Sequence, residues 1–312
     1  MPLLRYDSSV LTNGREKSIH ETGKLPVASY EDDVSVHPIA WHWHDEFELF
    51  HLLHGNINML IGTCQLTMTA GDAIFINSEL LHGGWEDYSE SCPYHSLVFH
   101  PQLIGGAVTS VFWQNYLNPL RLNKALPYLL FRPDGGWQSK VIENLEKSWT
   151  EIEFQSAGFE FRVREALSSV IYEVFTHSGE CSQSSTYAQQ REEVRLKQMI
   201  AFVQEHFTDE ISVGDIAASA FISKTECMRC FRNVLHTSPN RYLRQLRIRH
   251  AERILRSTNY KVETIAAYCG FQDTSYFARC FREEFGTTPL NYRKNLSAGQ
   301  RTFQKNKNNL GL

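Results

Sequence analysis

The chain is 312 residues long, and 42% of its residues are hydrophobic and 21% charged. This balance is that of an ordinary globular protein, so it excludes wholesale disorder and collagen-like structure. No apolar run approaches the roughly 18 residues that a membrane span needs, and the start of the chain shows no secretory signal pattern. The seven cysteines are scattered and odd in number, which favours reduced thiols. We therefore expect a cytoplasmic protein without a membrane partner.

The net charge of −4 is distributed unevenly along the chain. Residues 1–190 contain 11 Lys and Arg against 23 Asp and Glu, whereas residues 191–312 contain 20 against 12. A basic C-terminal third joined to an acidic body predicts that this third binds a polyanion. Nucleic acid is the commonest such partner.

Residues from about 25 to 100 have the texture of β-strands, because short apolar runs alternate with glycines. Within this region His42 and His44 alternate, Glu48 follows four residues later, and His82 comes 11 residues after Gly71. Alternate residues of a strand point to one face. We therefore expect His42, His44 and Glu48 to converge on one strand face.

This spacing resembles that of the cupin β-barrel, and the resemblance implies that the equivalents of these four residues bind a metal in the enzymatic cupins. The chain departs from that pattern at Asn77 and Glu79, where those cupins have proline and glycine. Three imidazoles and a carboxylate could still form a transition-metal site. We nevertheless assign no metal, no other cofactor and no catalytic residue, and expect polar and aromatic groups that bind an effector such as a sugar. The residues assigned to effector binding are His42, His44, Glu48, His82, Trp43 and Tyr94.

Residues 102–177 change to a helical texture, with apolar residues at spacings of three and four. Two amphipathic helices here must bury their apolar stripes on the β domain or on a second copy of the chain. We expect a helical dimerisation segment over residues 101–177 and a flexible, serine-rich linker over residues 178–190. The stripe residues are Val141, Leu145, Trp149, Ile152, Val163, Leu167, Val170, Ile171 and Val174.

An internal repeat follows the linker. Arg229-Cys-Phe-Arg232 recurs as Arg279-Cys-Phe-Arg282, an offset of 50 residues, and the same offset pairs Tyr242 with Tyr292. Several such anchors indicate a duplicated helical unit.

Each copy is expected to fold as a short helix, a tight turn and a second helix. In the first copy Ser212 and Ser223 have the spacing of helix N-caps, each followed three residues later by an acidic residue. The outer face of each second helix is polar and carries arginines, which is typical of helix-turn-helix units that read a major groove. The helix between the copies also carries arginines, which we expect near phosphates; they include Arg244, Arg247 and Arg249.

Residues 196–295 resemble the DNA-binding domain of the AraC/XylS family of bacterial transcription regulators. The resemblance rests on Ile265-Ala-Ala-Tyr-Cys-Gly-Phe271, Ser275-Tyr-Phe277 and the segment from Phe281 to Arg293. It implies two helix-turn-helix units on one long helix, with both recognition helices in successive major-groove segments. It also implies that the barrel senses an effector. The expected DNA contacts are Lys224, Thr225, Met228, Arg229, Arg232, Thr274, Ser275, Ala278, Arg279 and Arg282.

Two residues depart from the family pattern. His236 stands where the family usually has a helix-ending glycine, as Gly286 does in the second copy. Lys261 occupies the position of the Ser212 cap, so that helix start is expected to be uncapped.

The sequence therefore predicts an α+β multidomain protein. Its domains are a cupin-like effector-sensing β-barrel (1–100), a helical dimerisation segment (101–177), a linker (178–190), an all-α DNA-binding domain with two helix-turn-helix units (191–298) and a polar tail (299–312).

The predicted function is sequence-specific DNA binding in transcription regulation, in response to a small-molecule effector. The expected partners are promoter or operator DNA, the effector, a second copy of the chain and, for an activator, RNA polymerase. Two alternatives stay open: a metal-dependent cupin enzyme fused to a DNA-binding domain, and a scaffold whose basic domain binds protein.

Overall fold

The computed structural model describes residues 25–86, 90–133, 135–179 and 187–295. The chain divides into two compact units, one up to Lys197 and the other from Gln198 onward. Among the described residues, no helix has the length and apolar character needed to cross a membrane.

The predicted β domain forms two antiparallel sheets. The strands of the described residues are β1 (Val27–Asp33), β2 (Ile39–His42), β3 (Phe47–Leu52), β4 (Asn56–Ile61), β5 (Cys64–Thr69), β6 (Ala73–Ile76), β7 (His82–Trp85), β8 (Pro93–Phe99) and β9 (Tyr128–Phe131). One sheet has the order β1-β8-β3-β6-β9 and the other the order β2-β7-β4-β5.

The central strand β3 is buried along its whole length because both of its faces are covered. Phe50 belongs to the apolar core between the two sheets, together with Ile57 and Met59 of β4. Its neighbour Leu49 belongs to a second core on the outer side of the five-stranded sheet. Successive side chains of a strand point to opposite faces, so one strand serves both cores.

Helices cover the outer face of the five-stranded sheet. They are α1 (Gln102–Gly105), a π-helical turn (Trp113–Leu117), α2 (Asn118–Leu122), α3 (Trp137–Phe154) and α4 (Phe159–His177). The predicted stripes of α3 and α4 share the outer core with Leu49: Val141, Leu145, Leu167 and Val170 are fully buried there. The sequence left open whether these stripes pack on the β domain or on a second copy of the chain. In this structure they pack on the β domain of their own chain.

The expectation that residues 101–177 are purely helical is wrong at one place. Tyr128–Phe131 forms the edge strand β9, in which Phe131 pairs with Ala73 of β6. Leu129 and Phe131 are buried and alternate with the less buried Tyr128 and Leu130. A run of four apolar residues is too short for periodicity to distinguish strand from helix, so the pairing with β6 decides.

The second unit is helical, as predicted. The remaining helices are α5 (Tyr187–His206), α6 (Val213–Ser219), α7 (Lys224–Leu235), α8 (Pro239–Ser257), α9 (Val262–Tyr268) and α10 (Thr274–Phe285), and residues 289–295 are also helical. The pair α6–α7 and the pair α9–α10 are the two copies of the repeat, and α8 joins them.

Helix α5 begins at Tyr187, so the last four residues of the predicted linker are helical. Residues 180–186 of that linker and the predicted tail 299–312 lie outside the described residues.

The helix starts in the repeat follow the predicted capping pattern. Ser212 and Asp215 form a reciprocal capping box at the start of α6, and the Ser223 hydroxyl accepts a hydrogen bond from the Glu226 backbone N–H at 3.2 Å. In the second copy Lys261 precedes α9 and, in this described segment, gives it no side-chain cap. The two copies therefore share a fold but differ in the local stabilisation of their first helices.

Candidate effector and DNA-binding sites

The four residues that the sequence singles out converge inside the first unit. His42, His44, Glu48 and His82 are all buried, and one possible ligand atom from each lies within 4.8 Å of those from the other three. His42 of β2 and His82 of β7 are directly paired across the sheet, and their ring centroids are 4.2 Å apart. Strand pairing within one sheet therefore fixes His42 beside His82.

Glu48 reaches the cluster by a different route from the predicted one. The sequence predicts that His42, His44 and Glu48 share a strand face, but β2 ends at His42 and Glu48 lies on β3 in the other sheet. The chain crosses from one sheet to the other over residues 43–46. Glu48 therefore meets the histidines across the core, because the inner faces of the two sheets oppose each other.

Backbone carbonyl groups orient all three imidazoles. A carbonyl oxygen only accepts hydrogen bonds, so each Nδ1 carries a proton and Nε2 is the nitrogen that remains to face the cluster. The Nδ1 atoms of His42, His44 and His82 lie 2.7, 3.1 and 2.8 Å from the carbonyl oxygens of Ala40, Glu46 and Leu80.

The Glu48 carboxylate is the centre of the cluster. Its Oε2 atom lies 3.3 Å from Nε2 of His44 and 2.9 Å from Nε2 of His82, while Oε1 accepts a hydrogen bond from Ser96 Oγ at 2.6 Å. Burial alone would raise the pKa of Glu48, but the two imidazoles outweigh burial and hold that pKa well below its usual value. Burial, helped by the neighbouring histidines, holds the pKa of His42 well below its usual value.

A cavity adjoins the cluster, and all of its lining residues are buried. Its wall is mainly apolar and aromatic, with the Phe50 and Tyr94 rings stacked 4.6 Å apart. The lining residues are His42, Glu48, Tyr30, Ile39, Phe50, Tyr94, Ser96 and Val98.

The structure separates the two aromatic residues assigned to the effector. Tyr94 lines the cavity, whereas Trp43 is half-buried and is not among the lining residues. The sequence interpretation missed Ser96 and Tyr30. The two-residue spacing from Tyr94 to Ser96 is a signal that could have identified Ser96, because it places both side chains on one face of β8.

The ten predicted DNA contacts lie on the outer faces of α7 and α10. All four arginines among them are exposed, while Cys227, Phe231, Phe277 and Phe281 are buried on the opposite faces. The ten residues form five equivalent pairs: Lys224 and Thr274, Thr225 and Ser275, Met228 and Ala278, Arg229 and Arg279, and Arg232 and Arg282.

The two arginines at the centres of these faces interact with their own helices. Arg229 donates two hydrogen bonds to the Glu226 carboxylate, at 2.7 and 2.9 Å. Arg279 lies 5.2 Å from the centre of the Tyr276 ring and 4.0 Å from a Glu283 oxygen. A base that binds either guanidinium therefore competes with an intrahelical partner.

Three arginines of helix α8 interact with other groups of the helical unit. Arg247 donates to the backbone carbonyls of Phe207 and Asp209, at 2.6 and 2.7 Å. Arg244 and Arg249 pair with carboxylates of α10, Glu283 and Glu284, at 3.5 and 3.8 Å. These three arginines have partners within the helical unit, so a DNA phosphate would compete with those partners, and the expectation that they lie near phosphates stays a prediction.

Two protein families match the chain. The family described as AraC-like ligand binding domain matches residues 25–135, and the family described as helix-turn-helix domain matches residues 216–295.

Two individual relatives agree with these matches. The uncharacterized HTH-type transcriptional regulator YdeC of Bacillus subtilis (strain 168) is 28% identical over 288 residues, which cover 90% of this chain and 96% of YdeC. The HTH-type transcriptional activator RhaS of Klebsiella pneumoniae (strain 342) is 33% identical over 106 residues, 34% of this chain and 38% of RhaS. The crystal structure of ToxT from Vibrio cholerae O395 aligns with a TM-score of 0.44 and 14% identity, over 86% of this chain and 97% of ToxT.

The chain is thus a DNA-binding transcription regulator with a ligand-binding domain. It contains both an AraC-like ligand-binding domain and a helix-turn-helix domain, as the resemblance to AraC/XylS regulators implied. Its relatives are transcription regulators, so the interpretation as a regulator stands and the interpretation as a cupin enzyme does not.

Proposed function

We propose that this chain is a sequence-specific regulator that reads DNA with α7 and α10 and receives a small effector in the cavity beside His42 and Glu48. The observation that carries the proposal is the duplicated outer face. Arg229 and Arg279 are exposed at equivalent positions of two capped helices, over buried apolar residues. Helices of this kind enter successive major-groove segments, where arginine binds guanine through two hydrogen bonds.

The charge of the second unit supports this proposal. Residues 191–312 carry 20 Lys and Arg against 12 Asp and Glu. Such an excess draws the unit to any duplex and makes its affinity decrease with salt. Discrimination between DNA sequences must then come from the small set of side chains on the outer faces of α7 and α10.

The cavity has a volume of about 10 Å³, room for about one water molecule, so it favours an effector much smaller than the predicted sugar. Its wall offers polar groups mainly at His42, Glu48 and Ser96, and the tryptophan expected to stack on a sugar ring, Trp43, is not among its lining residues. A buried hydroxyl without a partner costs about 1–3 kcal/mol. We therefore place the effector at the polar end of the cavity, against the His–Glu cluster.

A second copy of the chain remains part of the proposal, but through a different surface. The apolar stripes of α3 and α4 are buried within one chain, so they cannot also hold a partner. Phe161 and Tyr172 of α4 are 80% and 65% exposed. They are 11 residues apart, which is about three helical turns, so they lie on one face. If the regulator is an activator, RNA polymerase is a further partner.

The first test measures the binding of the full-length chain to the duplex that it selects from a random pool. Arg279→Ala is expected to lower the affinity for the selected duplex about 5- to 150-fold, corresponding to 1–3 kcal/mol. It is also expected to relax the sequence preference at one base pair. Arg241→Ala is the control, because it removes an exposed arginine from α8 outside both faces. Equal weakening on selected and random duplexes would identify Arg279 as a phosphate contact, and the absence of any preferred duplex would contradict the proposed function.

A further inference from the structure

The buried His–Glu cluster has the composition and the support of a metal site. We propose that His42, His44, Glu48 and His82 bind one divalent transition-metal ion and that this ion is the effector. The inference rests on the proposed function for its regulatory part, since it names the effector class of the same site. The binding of the ion stands on the geometry of the four side chains alone.

The first argument is the donor set. Three imidazole nitrogens and one carboxylate oxygen suit Mn, Fe, Co, Ni, Cu or Zn, whereas Mg and Ca prefer a shell made of oxygen atoms. Metal–nitrogen bonds of about 2.1 Å place ligand atoms roughly 3–4 Å apart. The four ligand atoms already lie within 4.8 Å of one another, so only small side-chain movements separate this arrangement from a coordination shell.

The second argument is the support around each ligand. Metal-binding histidines usually donate the N–H of their other ring nitrogen to a carbonyl or carboxylate, which fixes the ring and the tautomer. All three histidines have this arrangement, with backbone carbonyl partners 2.7–3.1 Å away. Glu48 is likewise held, because Ser96 donates to its Oε1 atom and leaves Oε2 directed at His44 and His82.

The third argument is electrostatic. The Nε2 lone pairs of neutral imidazoles and a carboxylate oxygen are all acceptors, and they repel one another unless a cation lies among them. Nε2 of His82 is 2.9 Å from Glu48 Oε2, and Nε2 of His44 is 3.3 Å from the same atom. Protons or one metal ion can supply the positive charge. One ion placed among the four ligand atoms contacts all of them at once, whereas a proton is shared by only two atoms.

The position of His82 shows how the ion could affect the rest of the chain. The segment before His82 is tied to helices: Arg121 of α2 pairs with Glu79 at 3.2 Å, and Lys197 of α5 donates to the Glu79 carbonyl. The ion would also bind β2, β3 and β7 together and thus join the two sheets. A ligand that shifts both the sheets and this segment would also act on α5, through the contact between Lys197 and Glu79.

The binding experiment uses the full-length chain after removal of metal with a chelator. Titration with Co²⁺ is expected to give one visible-absorbing ion per chain, and Zn²⁺ is expected to displace it with the same stoichiometry. Bound ion should also raise the midpoint of thermal unfolding, because it binds the folded state selectively. If none of Mn²⁺, Fe²⁺, Co²⁺, Ni²⁺, Cu²⁺ and Zn²⁺ binds stoichiometrically, the metal site is wrong.

Two variants locate the ion, and one controls for adventitious binding. His42→Ala and Glu48→Gln are expected to lose stoichiometric binding and the thermal shift. His54→Ala removes an exposed histidine whose Nδ1 contacts the Ser91 carbonyl outside the cluster, and it should bind the ion as the parent does. Glu48→Gln keeps the size of the side chain, so a loss of binding in a variant that stays folded by circular dichroism is a loss of the ligand. Unchanged binding in both cluster variants would overturn the assignment.

The regulatory part is tested with the selected DNA duplex. Addition of the ion is expected to change the affinity of the parent chain about 5- to 150-fold, the usual range of coupling between two sites, and to leave the affinity of His42→Ala unchanged. Stoichiometric binding without any change in DNA affinity would show a structural ion and overturn the effector role. Failure to select a duplex would instead contradict the proposed function and leave the metal titration as an independent result.

Discussion

The helix-ending residues His236 and Gly286 hold equivalent positions in the two repeats, and both adopt the left-handed conformation, with φ of 50° and 68°. The turns before the second helices show the same contrast, since Phe221 has φ of 55° and Gly270 has φ of 78°. Glycine adopts such angles readily, whereas a β-carbon makes them unfavourable. The first copy therefore holds two strained residues where the second has glycines.

His236→Gly is expected to increase the free energy of unfolding of the full-length chain by about 0.5–1 kcal/mol, because glycine relieves the left-handed strain at the end of α7. Gly286→Ala makes the reverse change at the end of α10 and is expected to decrease it by about 1 kcal/mol. Equilibrium urea unfolding measures both. A decrease for His236→Gly would mean that contacts of the imidazole outweigh the strain of its backbone.

At the scale of elements, a polar cluster ties α3 to the five-stranded sheet, and the sequence interpretation did not include it. Glu146 of α3 accepts hydrogen bonds from Nδ1 of His51 on β3, at 2.6 Å, and from Nδ1 of His95 on β8, at 2.9 Å. The His95 ring also stacks on Trp149, with centroids 3.8 Å apart. His51 and His95 face the helices, so neither belongs to the cluster around Glu48.

This cluster predicts a specific pH dependence. Burial disfavours the charged form of Glu146, but its bonds to His51 and His95 outweigh burial and lower its pKa from 4.5 to about 2. A carboxyl whose pKa is lowered on folding stabilises the fold above its unfolded pKa, and this contribution is lost as the pH falls through the folded value. The contribution of Glu146 should therefore be complete above about pH 4.5 and disappear towards pH 2.

Glu146→Gln is expected to lower the free energy of unfolding by about 1 kcal/mol at pH 7, a value reduced for the partial exposure of this carboxylate. The difference from the parent chain should shrink as the pH is lowered from about 4.5, as measured by urea unfolding at several pH values. Glu143→Gln, at an exposed position of the same helix, is the control. A difference that stays constant with pH would assign the effect to packing.

At the scale of the whole molecule, the exposed aromatic residues of the first unit indicate an interface. Phe161 and Tyr172 lie on one face of α4, and both are exposed. Exposed apolar groups that share a face are typical of sites of protein association, whereas scattered ones are ordinary. A two-fold dimer through this face would present four helix-turn-helix units to paired half-sites.

The double variant Phe161→Ser and Tyr172→Ser is expected to convert a dimer into a monomer at micromolar concentration, as measured by sedimentation, while the fold persists because both side chains are exposed. Phe154→Ser is the control, since it removes another exposed aromatic residue, from the end of α3. If the parent chain is already monomeric with and without DNA, the dimer is excluded. If the double variant stays dimeric, a different surface forms it.

The helical half was largely predictable from the sequence. Apolar residues at spacings of three and four predicted the buried faces of α7 and α10, and the offset of 50 residues between the arginine motifs identified the duplication. The cap at Ser212 also followed from residue type, whereas the helix end at His236 followed from the glycine that the AraC/XylS pattern has at this position. These signals are local, because a helix makes its hydrogen bonds and its face within a few residues.

For the β domain, the sequence identified the candidate site residues but not their spatial arrangement. His42, His44, Glu48 and His82 were selected by spacing, yet their meeting depends on the opposition of two sheets, which no spacing along the chain encodes. Alternation shows that neighbouring side chains face opposite ways, but the partner strands decide which face meets which core. For that reason only the tertiary structure showed the positions of Ser96, Glu146 and β9.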